Sequence, residues 1–223
     1  MKIGIIVAMD KELRQLQSLF NSSNVLVQKC GIGKVNAALG AQRMIYEFHP
    51  DVIISSGCAG GNGDDIKLQD IIVGAEVCYH DVYCGTAIDD TTVYGQVQGL
   101  PVRYQADPHL LEKARQLGTI QLPDAEATTH STIHSGLIVT GDLFVDTKEK
   151  MRNIISHFPD ARAVDMESCA IAQTCYINQV PFISFRVISD IPLRDTDASM
   201  YHNFWDTVAE KSFLLTKYFV ESL

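Results

Sequence analysis

The sequence contains no run of basic residues, and acidic residues outnumber basic ones. Its 223 residues include 18 lysines and arginines against 27 aspartates and glutamates, which gives a net charge of −9. Nucleic acids and anionic lipid surfaces are bound through clustered positive charge, so neither kind of partner is expected. The N-terminal apolar segment, residues 3–8, is too short for a signal peptide or a membrane span. These absences predict a cytoplasmic protein with no nucleic-acid or membrane partner.

The sequence also lacks the closely paired cysteines that hold zinc or catalyse disulfide exchange. Its six cysteines stand at positions 30, 58, 78, 84, 169 and 175, and none forms a Cys-x-x-Cys pair. Most lie in or beside apolar stretches, which favours buried free thiols in a reducing compartment. His130 and His134 are four residues apart, but the β-branched segment between them does not favour the helix that a metal-binding pair needs. We therefore predict no metal site.

Nucleotide-binding motifs are missing as well, although one glycine segment comes close to them. Gly31-Ile32-Gly33-Lys34 lacks the spacing of a nucleotide triphosphate loop, and position 36 is Asn where a dinucleotide fingerprint requires glycine. No serine nucleophile elbow is present either. The sequence therefore predicts a protein that works without a bound cofactor.

The sequence does contain a regular alternation of apolar strands and amphipathic helices. Hydrophobic residues make up 46% of the chain, which is enough for a substantial core. About seven or eight strands alternate with about five or six helices, and no linker or repeat separates them. We predict a single α/β domain over residues 1–223, with a central mixed, largely parallel twisted sheet flanked by helices.

The segment from Arg162 to Asp190 organises the predicted site. The pattern predicts a short strand followed by Glu167, a helix, and an apolar second strand that ends in Arg186, Ser189 and Asp190. A strand–helix–strand unit brings the carboxyl ends of two strands to the same edge of a sheet, where ligands bind. Ser189-Asp190 alone is also typical of a plain turn. The pairing with Glu167 favours a functional site.

Three further candidates follow other strands, and each also has an ordinary structural explanation. Glu12 lies one turn beyond the first strand, where an acid equally stabilises a helix N-terminus. Cys58 belongs to the small-residue segment Gly57–Gly61, which indicates either a ligand loop or a tight turn. Phe144 fits stacking on a flat ring as well as packing in the core. Several acids with one arginine and one aromatic ring suit acid–base hydrolysis at an anomeric carbon.

Several segments, spread over nearly the whole chain, follow the order of one known family. They are residues 1–6 with Glu12, Gly31-Ile32-Gly33-Lys34-Val35, Gly57-Cys58-Ala59-Gly60-Gly61, Tyr79-His80-Asp81, Gly141-Asp142, Val164-Asp165-Met166-Glu167 and Arg186-Val187-Ile188-Ser189-Asp190. Through them the sequence resembles the 5′-methylthioadenosine/S-adenosylhomocysteine nucleosidases, within the wider nucleoside phosphorylase fold. The resemblance implies hydrolysis of these adenine nucleosides to adenine and the free ribose derivative, with 5′-deoxyadenosine as a further candidate substrate.

The resemblance implies a role for each catalytic candidate. Asp190, positioned by Ser189, would protonate the imidazole ring nitrogen of adenine. Glu12 would orient and deprotonate the attacking water, and Arg186 would fix the Glu12 carboxylate. Positive charge develops on the sugar as the bond breaks, so carboxylates nearby bind the transition state better than the ground state.

The resemblance also implies how the substrate is held. Glu167, directly after Met166, would accept hydrogen bonds from the ribose hydroxyls. Phe144 would stack on adenine, and the backbone of Val145 would bind the edge of the base. The remaining implied contacts are Cys58 near the water and, around the 5′-alkylthio group, Met9, Ile32 and Tyr201.

The sequence departs from the family pattern in three places. Cys58 replaces a usual serine, the segment between Phe20 and Gly31 is short, and residues 82–99 differ from the loop that completes a partner subunit's pocket. The family pattern implies a homodimer. It also implies reaction with water, because Ser55 stands where phosphorylases of this fold carry a phosphate-binding arginine. The alternatives are a purine nucleoside phosphorylase, an aminodeoxyfutalosine hydrolase, or a nucleoside-binding module without catalysis.

Overall fold

A computed structural model describes residues 1–85, 90–117, 131–194 and 213–223 of the chain. The strands of these ranges are β1 (Ile3–Val7), β2 (Val25–Lys29), β3 (Val52–Gly61), β4 (Ile71–Tyr79), β5 (Tyr104–Gln105), β6 (Ile133–Thr140), β7 (Ala161–Asp165) and β8 (Phe182–Asp190). Their helices are α1 (Asp10–Gln17), α2 (Lys34–Phe48), α3 (Pro108–Leu117), α4 (Lys148–His157), α5 (Ser168–Asn178) and α6 (Leu214–Ser222). Strands and helices alternate along much of the chain, as predicted for an α/β fold.

The strands form one mixed sheet, in which five of the eight strand pairings are parallel. Their order is β2-β1-β3-β7-β6-β4-β5, and β8 pairs with both β3 and β4. Strand β8 therefore closes β3, β7, β6 and β4 into a ring, which requires a strongly curved sheet. The predicted mixed, largely parallel sheet is confirmed.

Helices cover the sheet on two sides, which explains why its strands are apolar on both faces. On one side, α1, α3 and α6 contribute Leu16, Leu110 and Phe219 to a buried cluster against β1 and β8. On the other side, α2 and α5 contribute Met44 and Cys169 to a second cluster. Strand β8 lies between these layers, and eight of its nine residues are buried. The polar side chains at its end are consequently held on a rigid support.

The small-residue segment Gly57–Gly61 is strand and not a loop, which corrects the sequence-based prediction. Strand β3 continues to Gly61 because Cys58 and Ala59 pair with Val187 and Ile188 of β8. Small residues here still serve a close approach, since they let β7 and β8 pack against β3 beside the cavity.

The strand–helix–strand unit has the predicted elements β7, α5 and β8, but its two strands are not neighbours. Strand β3 lies between them, parallel to β8 and antiparallel to β7. The ends of β7 and β8 approach each other because the sheet curves, and not because the strands are adjacent and parallel. His130 and Tyr201 lie outside the described ranges. Within those ranges, no helix has the length and apolar character needed to cross a bilayer.

Candidate active site

A cavity of about 110 Å³ opens where the carboxyl ends of β1, β3, β7 and β8 converge. The segment before α2 and the loop after β6 complete its wall. The predicted site residues that line this cavity are Met9, Glu12, Ile32, Cys58, Phe144, Val145, Met166, Glu167, Ser189 and Asp190. Arg186 is not part of the lining, and Tyr201 lies outside the described residues.

Glu12 is buried in the cavity wall, with only 1% of its surface exposed. Its Oε2 accepts hydrogen bonds from the backbone N–H groups of Ala8 at 2.8 Å and Met9 at 3.0 Å. Its Oε1 accepts a third from the backbone N–H of Cys58 at 3.1 Å. Burial raises the pKa of Glu12 above its ordinary value, while the charge of Arg186 and these N–H groups oppose that rise. The carboxylate is therefore fixed in place and remains a stronger base than an exposed glutamate.

Arg186 is fully buried behind the cavity and is held by residues of two strands, by Glu167 and by the first residue of α5. Its Nε lies 2.8 Å from Asp165 Oδ2 and donates to Ser168 Oγ at 3.0 Å. Its Nη2 donates to Ser55 Oγ at 2.7 Å, and its Nη1 lies 3.6 Å from Glu167 Oε2. The pKa of Arg186 is raised: burial lowers it, but the charges of Asp165, Glu167 and Glu12 outweigh that effect.

The predicted ion pair between Arg186 and Glu12 is not formed, which corrects the sequence-based expectation. The ion pairs of Arg186 within 4.0 Å join it to Asp165 and Glu167 instead. Arg186 and Glu12 face each other across Gly57, where an added Cβ would lie 2.6 Å from both Arg186 Nη1 and Glu12 Oε1. The guanidinium thus acts on Glu12 through its charge and not through a direct contact.

Glu167 occupies the N-cap position of α5, two residues after the end of β7, and its side chain forms no capping hydrogen bond. Its Oε1 accepts a hydrogen bond from the backbone N–H of Gly33 at 3.0 Å, although the two residues are 134 positions apart. Burial, opposed by the charge of Arg186, raises the pKa of Glu167 to about 7. Glu167 therefore exchanges its proton close to neutral pH.

Asp190 and Ser189 form the end of β8, at the edge of the same cavity. Ser189 Oγ donates a hydrogen bond to Asp190 Oδ1 at 2.7 Å. This contact is the one predicted for the pair. An added Cβ on Gly60 would lie 3.3 Å from Asp190 Oδ2, so β3 passes close to the Asp190 carboxyl group.

The loop after β6 places Phe144, with 43% of its surface exposed, and the buried Val145 in the cavity wall. Asp142 fixes this loop to α2, because its Oδ1 accepts a hydrogen bond from the backbone N–H of Lys34 at 2.7 Å. The backbone N–H of Asp142 in turn donates to Asp81 Oδ2 at 2.8 Å, and Lys34 Nζ lies 2.7 Å from the same atom. The loop that carries Phe144 is thus tied to the segment that carries the Gly33 amide.

The sequence and the fold both match a known family. A sequence model described as "Phosphorylase superfamily" matches residues 2–221. A 5′-methylthioadenosine/S-adenosylhomocysteine nucleosidase from an Exiguobacterium species is 37% identical, over 95% of this chain and 94% of its own length. This chain belongs to that nucleosidase family.

Two solved structures of the nucleosidase family superpose on the whole chain. The Neisseria meningitidis 5′-methylthioadenosine/S-adenosylhomocysteine nucleosidase, in complex with methylthio-immucillin-A, is 33% identical with a TM-score of 0.86. The match covers 100% of this chain and 99% of that one. The Streptococcus pyogenes S-adenosylhomocysteine nucleosidase, in complex with 5-methylthiotubericidin, is 29% identical with a TM-score of 0.86, over 100% of this chain and 97% of that one. The predicted family and fold are therefore confirmed.

Sequence reasoning assigned no role to several polar residues of this nucleosidase-family site. Asp165 is the main one, because it pairs with Arg186 while Thr140 Oγ1 donates to its Oδ1 at 2.5 Å. Its position was a usable signal, since Asp165 ends a strand two residues before Glu167, at the carboxyl edge of the sheet where ligands bind. The Gly33 amide and the Lys34 side chain carried no such signal. Their contacts join parts of the chain that are far apart in sequence.

Cys58, which departs from the family pattern, and His134, considered above as a metal ligand, both have a simple structural setting. The substituted Cys58 binds Glu12 through its backbone N–H, which does not depend on the side chain. His134 pairs with Asp70, with 3.0 Å between Nε2 and Oδ2. Across the described ranges, no group of three or more histidine, cysteine, aspartate or glutamate side chains is arranged to hold a metal ion.

Proposed function

We propose that this chain hydrolyses the N-glycosidic bond of 5′-methylthioadenosine and S-adenosylhomocysteine, with adenine and the free ribose derivative as products. The observation that carries the proposal is that Glu12, Glu167 and Asp190 line one cavity at strand ends. The relatives named above, which are nucleosidases of these two substrates, support the same assignment. Residues 1–223 act as a single catalytic domain in this proposal, and no cofactor takes part.

Departure of adenine depends on Asp190. The Asp190 carboxyl group donates its proton to the imidazole ring nitrogen of adenine, and Ser189 keeps that group oriented through its hydrogen bond. The glycosidic bond breaks, its electron pair remains on the now neutral base, and positive charge develops on the sugar. Phe144 stacks on adenine from the cavity wall while the Val145 backbone binds the edge of the base.

Attack by water depends on the two buried glutamates. Glu12 is fixed by three backbone N–H groups. It accepts a proton from the water molecule while the oxygen of that water forms a bond to the anomeric carbon. Glu167 accepts hydrogen bonds from the ribose hydroxyls in its ionised form. Both carboxylates lie beside a centre that becomes positive only in the transition state, so they favour that state over the bound substrate. Cys58 lies beside the water. The positive charge of Arg186 favours the ionised forms of Glu12 and Glu167.

The 5′ group of the substrate is bound by apolar side chains. Met9 and Ile32 line the cavity, and Tyr201, outside the described residues, completes this part of the pocket in the proposal. An alkylthio group fits such a lining because it carries no charge and gains from leaving water. By the same reasoning, 5′-deoxyadenosine is a further substrate.

Water, and not phosphate, is the nucleophile in this proposal. A bound phosphate requires an available guanidinium group in a desolvated site. Arg186 has its Nε engaged by Asp165 and Ser168 and its Nη2 engaged by Ser55. The Glu12 carboxylate repels a phosphate anion but suits a water molecule that must lose a proton.

The test is an assay of adenine release from 5′-methylthioadenosine, with and without phosphate, followed by mass analysis of the sugar. We expect an equal rate in both buffers and a free 5-methylthioribose product. A rate that requires phosphate, together with a sugar phosphorylated at the anomeric carbon, would establish a phosphorylase instead. Release only from aminodeoxyfutalosine would establish that hydrolase, and binding without any release would leave a nucleoside-binding module.

The proposed enzyme is a homodimer that works in the cytoplasm, in methionine salvage. An exposed apolar stripe on α2, made of Val35, Leu39 and Tyr46 at helical spacing, supports an interface; these side chains are 70%, 65% and 77% exposed. Six free cysteines fit a reducing compartment. We expect L39E to shift light scattering toward the monomer, while H109E, on the exposed face of α3, leaves the dimer intact. A wild-type protein that is a fully active monomer at micromolar concentration would contradict the dimer.

A further inference from the structure

Asp165 is the most extensively bonded side chain near the cavity, yet it has no part in the proposed chemistry. Its Oδ1 accepts hydrogen bonds from Thr140 Oγ1 at 2.5 Å and from the Ser168 backbone N–H at 3.3 Å. Its Oδ2 lies 2.8 Å from Arg186 Nε and accepts from the Ser168 hydroxyl group. Asp165 is 5% exposed, so these contacts lie away from bulk water.

Three buried carboxylates share one buried arginine at this site. Glu12, Asp165 and Glu167 are 1%, 5% and 5% exposed, and Arg186 is 1% exposed. Burying a charge without a partner is unfavourable. The distance of each carboxylate from Arg186 therefore decides which of the three negative charges is well neutralised and which is not.

The geometry divides that charge unequally. Asp165 takes the closest contact, at 2.8 Å from Nε, whereas Glu167 lies 3.6 Å from Nη1. Glu12 forms no ion pair within 4.0 Å and faces Nη1 only across Gly57. Asp165, which has no part in the proposed chemistry, therefore forms the shortest ion pair with Arg186.

We propose that Asp165 is a positioning residue, which anchors Arg186 and takes up much of its charge so that Glu12 remains a strong proton acceptor. This inference rests on the proposed function, since it concerns how that reaction obtains its base. Ser168 assists, because its hydroxyl group contacts both Asp165 and Arg186 and lies 2.7 Å from Ser184 Oγ. The guanidinium is thereby locked in one orientation.

The electrostatics of the surrounding groups support this role. Asp165 is among the charges that raise the pKa of Glu167, after burial and against the opposing effect of Arg186. Burial also raises the pKa of Glu12, the base of the proposed reaction, against the charge of Arg186, and a base with a raised pKa removes a proton from water more effectively than an ordinary glutamate does. The titratable and charged groups around Glu12 and Glu167 are Arg186 and Asp190 on β8, Asp165 on β7, Cys58 on β3, and Cys30 after β2.

The experiment measures kcat/KM against pH, with 5′-methylthioadenosine as substrate, for the wild type, D165N, D165E and S168A. In D165N the whole arginine charge acts on the two glutamates. We therefore expect the acid limb of the profile, the range in which kcat/KM rises with pH, to move to lower pH by roughly one unit or more. The plateau falls about tenfold or more, because the base is weaker and the guanidinium is less well placed. D165E and S168A retain the negative charge, so their acid limb stays at the wild-type pH. D165E also recovers most of the lost plateau.

A purely structural role for Asp165 would lower the plateau of D165N and leave its acid limb in place, and that result would overturn the inference. If D165N does not fold, the other two variants decide: an acid limb displaced by a unit in D165E or S168A overturns the proposal, and an unmoved limb supports it. An inactive wild-type protein would overturn the proposed function itself. An active wild type whose D165N variant keeps the limb overturns only this inference.

Discussion

Gly57 separates Glu12 from Arg186, and replacing Gly57 by alanine tests the geometry of the proposed site. An added Cβ would lie 2.6 Å from Arg186 Nη1, 2.6 Å from Glu12 Oε1 and 3.2 Å from Glu12 Cδ. Non-bonded heavy atoms settle at about 3.5–4 Å, so each group must retreat by about 1 Å. Arg186 is held by Asp165 and Ser55, so much of the movement falls on Glu12.

The cost of that movement follows from what holds Glu12. A shift of about 1 Å breaks the 3.1 Å hydrogen bond from the Cys58 backbone N–H to Glu12 Oε1. Misplacement by about 1 Å reduces turnover by up to roughly 100-fold, because the reacting atoms no longer meet in the productive arrangement. Overpacking of this kind also lowers the free energy of unfolding by about 1–3 kcal/mol. We therefore expect G57A to fold, to be less stable and to lose most of its kcat.

The matched control lies four residues further along β3. An added Cβ on Gly61 would lie 2.9 Å from Ile188 Cγ2 and 2.9 Å from Ile66 Cγ2, so the crowding is similar but the neighbours are apolar. We expect G61A to lose stability in thermal unfolding while its kcat for adenine release stays within a few-fold of wild type. The reasoning is refuted by a G57A variant with near wild-type kcat, or by a G61A variant that loses as much turnover as G57A.

Three further predictions concern the proton donor, the pH profile and the stacking ring. D190N keeps the shape of the carboxyl group but cannot supply its proton, so we expect adenine release to fall by roughly 100-fold or more; near-normal release by a folded variant contradicts the role. Burial raises the pKa of Glu167 from 4.5 to about 7, so kcat/KM rises with pH through about 7 as Glu167 ionises. The folded state holds this proton more tightly than the unfolded chain does, so the contribution of Glu167 to the free energy of unfolding falls as the pH rises from 4.5 to about 7. Urea unfolding measures this free energy, and a wild-type value that increases relative to that of E167Q over this pH range would contradict the predicted sign. F144A raises KM by about tenfold through lost stacking, whereas F144Y preserves the ring and the KM; equal KM values for all three proteins argue against stacking.

The sequence by itself determined the secondary-structure elements and the ionisable residues at their ends. Apolar runs with alternating helical patterns predict the strands and helices. Asp107-Pro108 is typical of a helix start, and α3 begins there, with Asp107 Oδ1 accepting from the His109 N–H at 2.9 Å. Glu12 and Asp190 were also recognisable, because an acid at the end of an apolar strand is visible in sequence order. These features can be predicted because they depend on residues that are close to one another in the sequence.

Only the tertiary structure decided which groups pair with which. Arg186 was expected to hold Glu12, yet it is bound by Asp165, 21 positions away and reached only because the closed ring of strands brings β7 and β8 to either side of β3. Glu167 is fixed by the Gly33 amide from 134 positions away. Charge pairing changes with separations of about 1 Å, and such distances between remote segments are set by the curvature of the sheet and the packing of helices against it. The sequence specifies which ionisable groups are present. The curvature of the sheet sets their distances from Arg186, and those distances decide how strongly its charge acts on each carboxylate.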